Sequence, residues 1–185
     1  NKFKFETDTA TYIGYWDLLI PIPRMHVGKT PIIEVYDYKT TSDFKWMKRA
    51  NNLKEDPQGI LYAIAALGAL YERWKEYDPF PPGLCLTWLY FRYSPTKPGV
   101  RRVWLWVLPD EEKSLPVRPK DVKEEYFGVI YMSELEQRFR VVEEKSAQLL
   151  EHHRQGHKGL DLPINLAGCD AYDGCPYRDV YCKLT

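Results

Sequence analysis

Apolar and polar positions alternate in short runs over the first part of the chain and then change period. Phe3, Phe5 and Thr7 alternate with polar neighbours and predict a first strand. Residues 11–20, TYIGYWDLLI, predict a second, with Ile13, Tyr15, Asp17 and Leu19 on one face. Asp17 is then a lone acid in an apolar row, and a buried carboxylate costs several kcal/mol unless paired or metal-bound. The bland alternative is an exposed aspartate on a solvent-facing side. Pro21 and Pro23 are expected to end that strand. Residues 31–41, PIIEVYDYKTT, open with a β-branched run and close in charge, which predicts a third strand paired antiparallel with the second. Asp37 and Lys39 stand two apart on one face of it, with Ile33 and Val35 behind them.

The period lengthens after Asp56. Asp56 is a good N-cap and Pro57 a good first helical residue, so a helix is predicted to about Tyr77. It is apolar around most of its circumference, as a buried helix is. Gln58 and Tyr62 are four apart on it and share a face. Residues 84–93 and 103–108 read as a hairpin, its aromatics as core or sheet surface rather than stacking platforms. Residues 109–123 form a charged, proline-bearing connector. Ser133 and Glu136 have capping-box spacing at the head of a helix running to about His153, with Gly156 and Gly159 as its stop.

Composition narrows the class. At 185 residues the chain suits one domain with a small appendage: a domain over residues 1–159 and a cysteine-bearing tail, 160–185, packed on it. Hydrophobic content of 44% beside 28% charged residues describes a globular protein with a real core. No apolar run approaches the ~20 residues of a membrane span, and the start shows no signal peptide. The first residue is Asn1, which suits a fragment or a processed form. Twenty-six basic residues balance 26 acidic ones, so any basic surface must be local. One local concentration is Lys45, Lys48, Arg49 and Lys54, suited to a phosphate backbone or simply to a solvated linker.

A carboxylate beside an ammonium at a strand end can hold a divalent metal and orient a water. The alternative is a surface ion pair worth roughly 0–1 kcal/mol. The flanking motifs bear on that choice. Gly14 and Asp17 in GYWD, Asp37, Tyr38 and Lys39 in DYKTT, and Gln58 and Tyr62 in DPQGILYA, in that order, resemble the RecB-like branch of the PD-(D/E)XK nuclease superfamily. The look-alikes are its CRISPR-associated and helicase-linked exonucleases. The acid followed by D-x-K is weak by itself; the Q-x-x-x-Y helix makes the set specific. The motif-bearing match covers roughly residues 12–65.

The resemblance implies an α/β, restriction-endonuclease-like core with a mixed central sheet flanked by helices. It implies a metal-dependent DNA nuclease, an exonuclease or end-processing enzyme of the cytoplasm of a bacterial, archaeal or phage-infected cell. Asp17 and Asp37 would ligate Mg²⁺ or Mn²⁺, hard ions that suit oxygen donors, and the Tyr38 carbonyl would add a third ligand. Lys39 would orient the attacking water, and Gln58 and Tyr62 would support the site and contact DNA. A helicase, recombination or CRISPR-adaptation partner would accompany it. Rival classes are a non-catalytic nucleic-acid-binding or scaffold module on the same fold and a small zinc-binding interaction domain.

Three of the four cysteines fall late, in a C-x₅-C-x₆-C run of Cys169, Cys175 and Cys182. Many members of that branch carry a 4Fe–4S cluster, and late clustering suits a metal site more than a secreted disulfide framework. Three thiolates are one short of a four-Cys cluster. His152, His153 or His157 would complete a structural zinc site instead. The family's usual tail has a tighter C-x₂-C pair, and its usual helix before the first motif, with the ligand it carries, is absent or lies upstream of Asn1, since eleven residues precede Tyr12. Cys85, in mid-strand, reads as a buried small hydrophobe.

Overall fold

The computed structural model describes residues 2–74 and 82–156. The chain divides into two compact units, Asn1–Lys145 and Ser146–Thr185. The first holds a mixed α/β fold built on a five-stranded sheet and a separate two-stranded one.

The two-stranded sheet pairs β1 (Lys2–Glu6) antiparallel with β2 (Thr11–Tyr15). Phe3 lies opposite Gly14, and its ring occupies the space that a Cβ at Gly14 would need. Tyr12 and Trp16 are buried there, whereas Ile13 and Tyr15 are 58% and 63% exposed. The expected apolar row is therefore on the wrong side. Apolar residues occupy both faces of this strand, and Phe3, Phe5 and Phe139 select the face carrying Tyr12. The strand ends at Tyr15, and Asp17 stands exposed in the break before β3 (Leu18–Val27).

β3 is an edge strand of the main sheet, whose order is β3-β4-β5-β6-β7. It pairs antiparallel with β4 (Thr30–Thr41), and its register shifts between Ile20 and Met25. Pro21 and Pro23 fall inside that shift, so they interrupt the ladder without ending the strand, as edge prolines do. Gly28, at φ 56°, makes the two-residue turn between Val27 and Thr30. Glu112 secures that turn, accepting from Lys29 N (3.2 Å) and Thr30 Oγ1 (2.9 Å).

A 3-10 turn at Phe44–Trp46, α1 (Ala50–Glu55) and α2 (Pro57–Trp74) return the chain to β5 (Gly83–Arg92), parallel to β4. β6 (Gly99–Leu108) closes the expected hairpin on β5. β7 (Phe127–Tyr131) then adds a parallel edge that the sequence pattern did not suggest. α3 (Met132–Arg154) follows directly. Its head carries no Ser133–Glu136 capping box. Asp110 accepts from both Ser133 N (3.1 Å) and Ser133 Oγ (2.5 Å), so the cap comes from the end of β6. Of the second unit, residues 146–156 are described, ending at Gly156 with φ 76°.

Alternation in β4 and β5 divides the core. Ile33, Val35, Leu84, Leu86 and Trp88 pack on the face that carries Leu53 of α1 and Ile60 and Ala63 of α2. Ile32, Cys85, Trp106 and Leu108 cluster on the other face. Cys85 is the small buried hydrophobe expected of it, with burial pushing its thiol up to about 12.

Candidate active site

The five motif residues do come together at the C-terminal end of β4. Asp37 is 4% exposed, on the face that carries Ile33 and Val35, and the Lys39 ammonium lies 2.6 Å from its Oδ2. That oxygen is buried and has no donor in hydrogen-bond alignment. Lys39 Nζ donates to Gln58 Oε1 (3.2 Å), and Gln58 Nε2 donates to Tyr62 Oη (2.9 Å). A continuous polar chain thus runs from β4 onto the first turns of α2. Helical spacing places Gln58 above Tyr62, and the Asp56 cap fixes where that helix starts by accepting from Gln58 N (2.9 Å).

Asp17 joins from the neighbouring strand. β3 pairs Leu18 with Tyr36, which sets the preceding residue beside the end of β4. Asp17 Oδ2 accepts from Tyr38 N at 2.6 Å. Tyr38 itself is 46% exposed and its ring meets Phe91 edge-on.

Three further groups, Lys48, Asp56 and Trp88, belong to the cluster. Lys48 pairs with Asp56 Oδ2 in a close ion pair. The ammoniums of Lys39 and Lys48 lie 5.0 and 4.8 Å from the centre of the Trp88 ring, a buried residue paired with Asp37 across the sheet. Two lysine–aspartate pairs therefore share one indole. Asp56 was legible as a helix cap, but its place beside Lys48 and Trp88 depends on tertiary packing that no local pattern carries.

Burial dominates the electrostatics. It raises the Asp37 carboxyl above its ordinary range, Lys39 opposes that, and the charges of Asp17 and Asp56 add to it. Three carboxylates thus crowd close enough to repel. The Tyr62 hydroxyl is raised too, first by burial and then by the same three acids, against its bond from Gln58.

Among the described residues, no group of three or more His, Cys, Asp or Glu side chains converges to hold a metal ion. Two carboxylates, a backbone carbonyl, water and substrate phosphate are nevertheless the donor set that magnesium accepts. The crowded acids and the unaligned Asp37 Oδ2 suit a hard cation. Cys169, Cys175, Cys182 and His157 lie outside the described residues; His152 and His153 stand in the part of α3 that belongs to the second unit. Among the described residues, no helix is long and apolar enough to cross a membrane. Comparison with protein-family models, curated proteins and solved structures finds no match.

Proposed function

We propose that this protein is a divalent-metal-dependent nuclease hydrolysing DNA phosphodiester bonds, acting at strand ends, on a restriction-endonuclease-like core. The observation that carries the proposal is the joined set Asp17, Asp37, Lys39, Gln58 and Tyr62 at one strand end, with a buried aspartate oxygen turned to a lysine and to no aligned donor. Asp17, Asp37 and the Tyr38 carbonyl would hold Mg²⁺ or Mn²⁺. When bound, such an ion lowers the pKa of water and neutralises phosphoryl oxygens. Lys39 holds and orients the attacking water, its ammonium set beside Asp37 Oδ2 and donating to Gln58 Oε1. Gln58 and Tyr62 keep Lys39 at that angle, and the Lys48–Asp56 pair keeps the helix start in place. A cytoplasmic setting and a DNA-handling partner such as a helicase, recombination or CRISPR-adaptation protein go with this reading.

The deciding experiment follows labelled single- and double-stranded DNA, free-ended and end-blocked, with Mg²⁺, Mn²⁺ or chelator. Loss of free-ended substrate that depends on the metal is expected. Intact DNA under every metal condition would return the chain to the non-catalytic module. Asp17→Asn should weaken Mn²⁺ binding and remove cleavage while Tyr38 N keeps an acceptor. Unchanged Mn²⁺ affinity by calorimetry would refute its role as a ligand.

For the tail, we propose that Cys169, Cys175 and Cys182 bind one structural centre, either 4Fe–4S or zinc, because thiolate–metal bonds supply folding energy directly. Anaerobically purified protein should contain stoichiometric iron and sulfide, or zinc. Absence of both metals, with all three thiols alkylated in the folded protein, would discard the centre.

A further inference from the structure

A cavity lies two strands across the sheet from the motif residues of β4. It measures about 440 Å³ and opens between the first half of β6 and residues 121–126. β7 begins to pair only at Trp104↔Phe127, so β6 has an open edge from Gly99 to Val103 on that side. Arg101, Arg102 and Lys123 line the opening against one acid, Asp121, and Trp104 and Tyr126 supply half-buried aromatic surface.

Among the described residues, these cations make no ion pair. Among the described residues, Arg49 takes Glu125 (3.3 Å) and Arg138 takes Glu134 (2.7 Å), whereas Arg101, Arg102 and Lys123 take no carboxylate. Arg101 is held instead by the Tyr126 hydroxyl and by an aromatic ring. Its guanidinium lies 4.6 Å from the centre of Phe44, and that of Arg92 lies 4.5 Å from the same ring. Two like charges on one ring repel each other, and an anion seated beside them relieves that repulsion. The volume is within the range of small-ligand sites, and cations beside aromatic faces suit a phosphate with a base attached.

Register ties this cavity to the motif site. Lys39 pairs with Tyr90, and Tyr90 with Arg101, so Arg101 shares the face of the motif residues, whereas Arg102 and Trp104 alternate to the other face and the cavity wraps the open edge of β6. Two strand spacings put the Cα atoms of Lys39 and Arg101 about 10 Å apart.

We propose that this cavity binds one nucleotide unit of a single DNA strand whose scissile phosphate lies at Asp37 and Lys39. The phosphate would sit on Arg101, Arg102 and Lys123, and the base against Trp104 and Tyr126. A paired base could not reach those rings, so the site selects single-stranded ends. The choice of DNA rests on the nuclease reading; the binding itself does not.

The test is fluorescence anisotropy in chelator, so that cleavage does not interfere. The probes are a labelled oligothymidylate, the corresponding duplex, and thymidine monophosphate as competitor. The wild-type protein should bind the single strand better than the duplex. R101A/R102A/K123A should weaken that binding about tenfold or more and reduce the salt slope by about 0.7, the value for one phosphate contact on a single strand. Tyr126→Ala should weaken it about tenfold through lost stacking. Circular dichroism checks each fold, and R102A/K123A, which spares the Phe44 contact, replaces the triple variant if that one unfolds. Wild-type affinity in the substituted protein overturns the cavity. So does equal preference for duplex, or monophosphate binding as tight as the oligonucleotide. Binding that follows these expectations without any cleavage under metal leaves the cavity standing and removes the nuclease.

Discussion

Asp37→Ala and Lys39→Ala should each abolish DNA cleavage while the fold survives. Losing the metal-bound water, or the group that orients it, removes several kcal/mol of transition-state stabilisation, so kcat/KM should fall at least about 10³-fold, roughly 4 kcal/mol. The stability side of Asp37 runs the other way. Burial raises its pKa, so the folded protein binds this proton more tightly than the unfolded chain does. Stability of the metal-free protein therefore falls as pH rises from the ordinary aspartate value of 3.8 through the raised one, and is level above it. Asp37→Asn removes that loss. In chelator at neutral pH its melting temperature should equal or exceed that of the wild type, and the difference should shrink on acidification. Manganese should reverse the order, since an ion at a hundred times its Kd adds about 2.7 kcal/mol to the protein that binds it. Residual activity near wild type in either alanine variant, or an Asn variant that manganese stabilises as much as the wild type, would sink the assignment.

Trp88→Ala should produce the largest change in stability. The side chain is 1% exposed in the principal core, and truncating a buried Trp costs about 3–5 kcal/mol. Its ring also lies against both Lys39 and Lys48, so the loss should reach the site. Trp88→Phe keeps a ring and most of the packing. It should recover most of the stability and activity that alanine loses. Denaturant midpoints and kcat/KM for the pair provide the check. Equal activity in Trp88→Ala and the wild type would show that the indole has no part in placing Lys39.

The legible and illegible parts of this chain differ in range. β4, α2 and the β5–β6 hairpin carry their own signals: a β-branched run, an Asp-Pro start, and two aromatic-rich strands around prolines. The alternation that puts Asp37 and Lys39 together is local, and so is the helical spacing of Gln58 and Tyr62. What failed depended on partners distant in sequence. The buried face of β2 is chosen by Phe3 and Phe139, and the cap of α3 comes from Asp110. β7 is five residues long and runs straight into a helix, so it lacks flanking turn signals. Lys48 was visible only as one of several basic residues, because the aspartate and indole that give it a role lie eight and forty positions away.

The interrupted ladder of β3 bears on how these molecules behave when crowded. It is the terminal strand on that side of the sheet, and an unpaired strand edge is a ready template for aggregation. Pro21 and Pro23 offer no N–H to an incoming chain, and the shifted register between Ile20 and Met25 denies it a straight line of partners. At high concentration the β3 edge should resist fibre-like stacking. Replacing both prolines with threonine would restore the missing donors and leave an edge open to self-association.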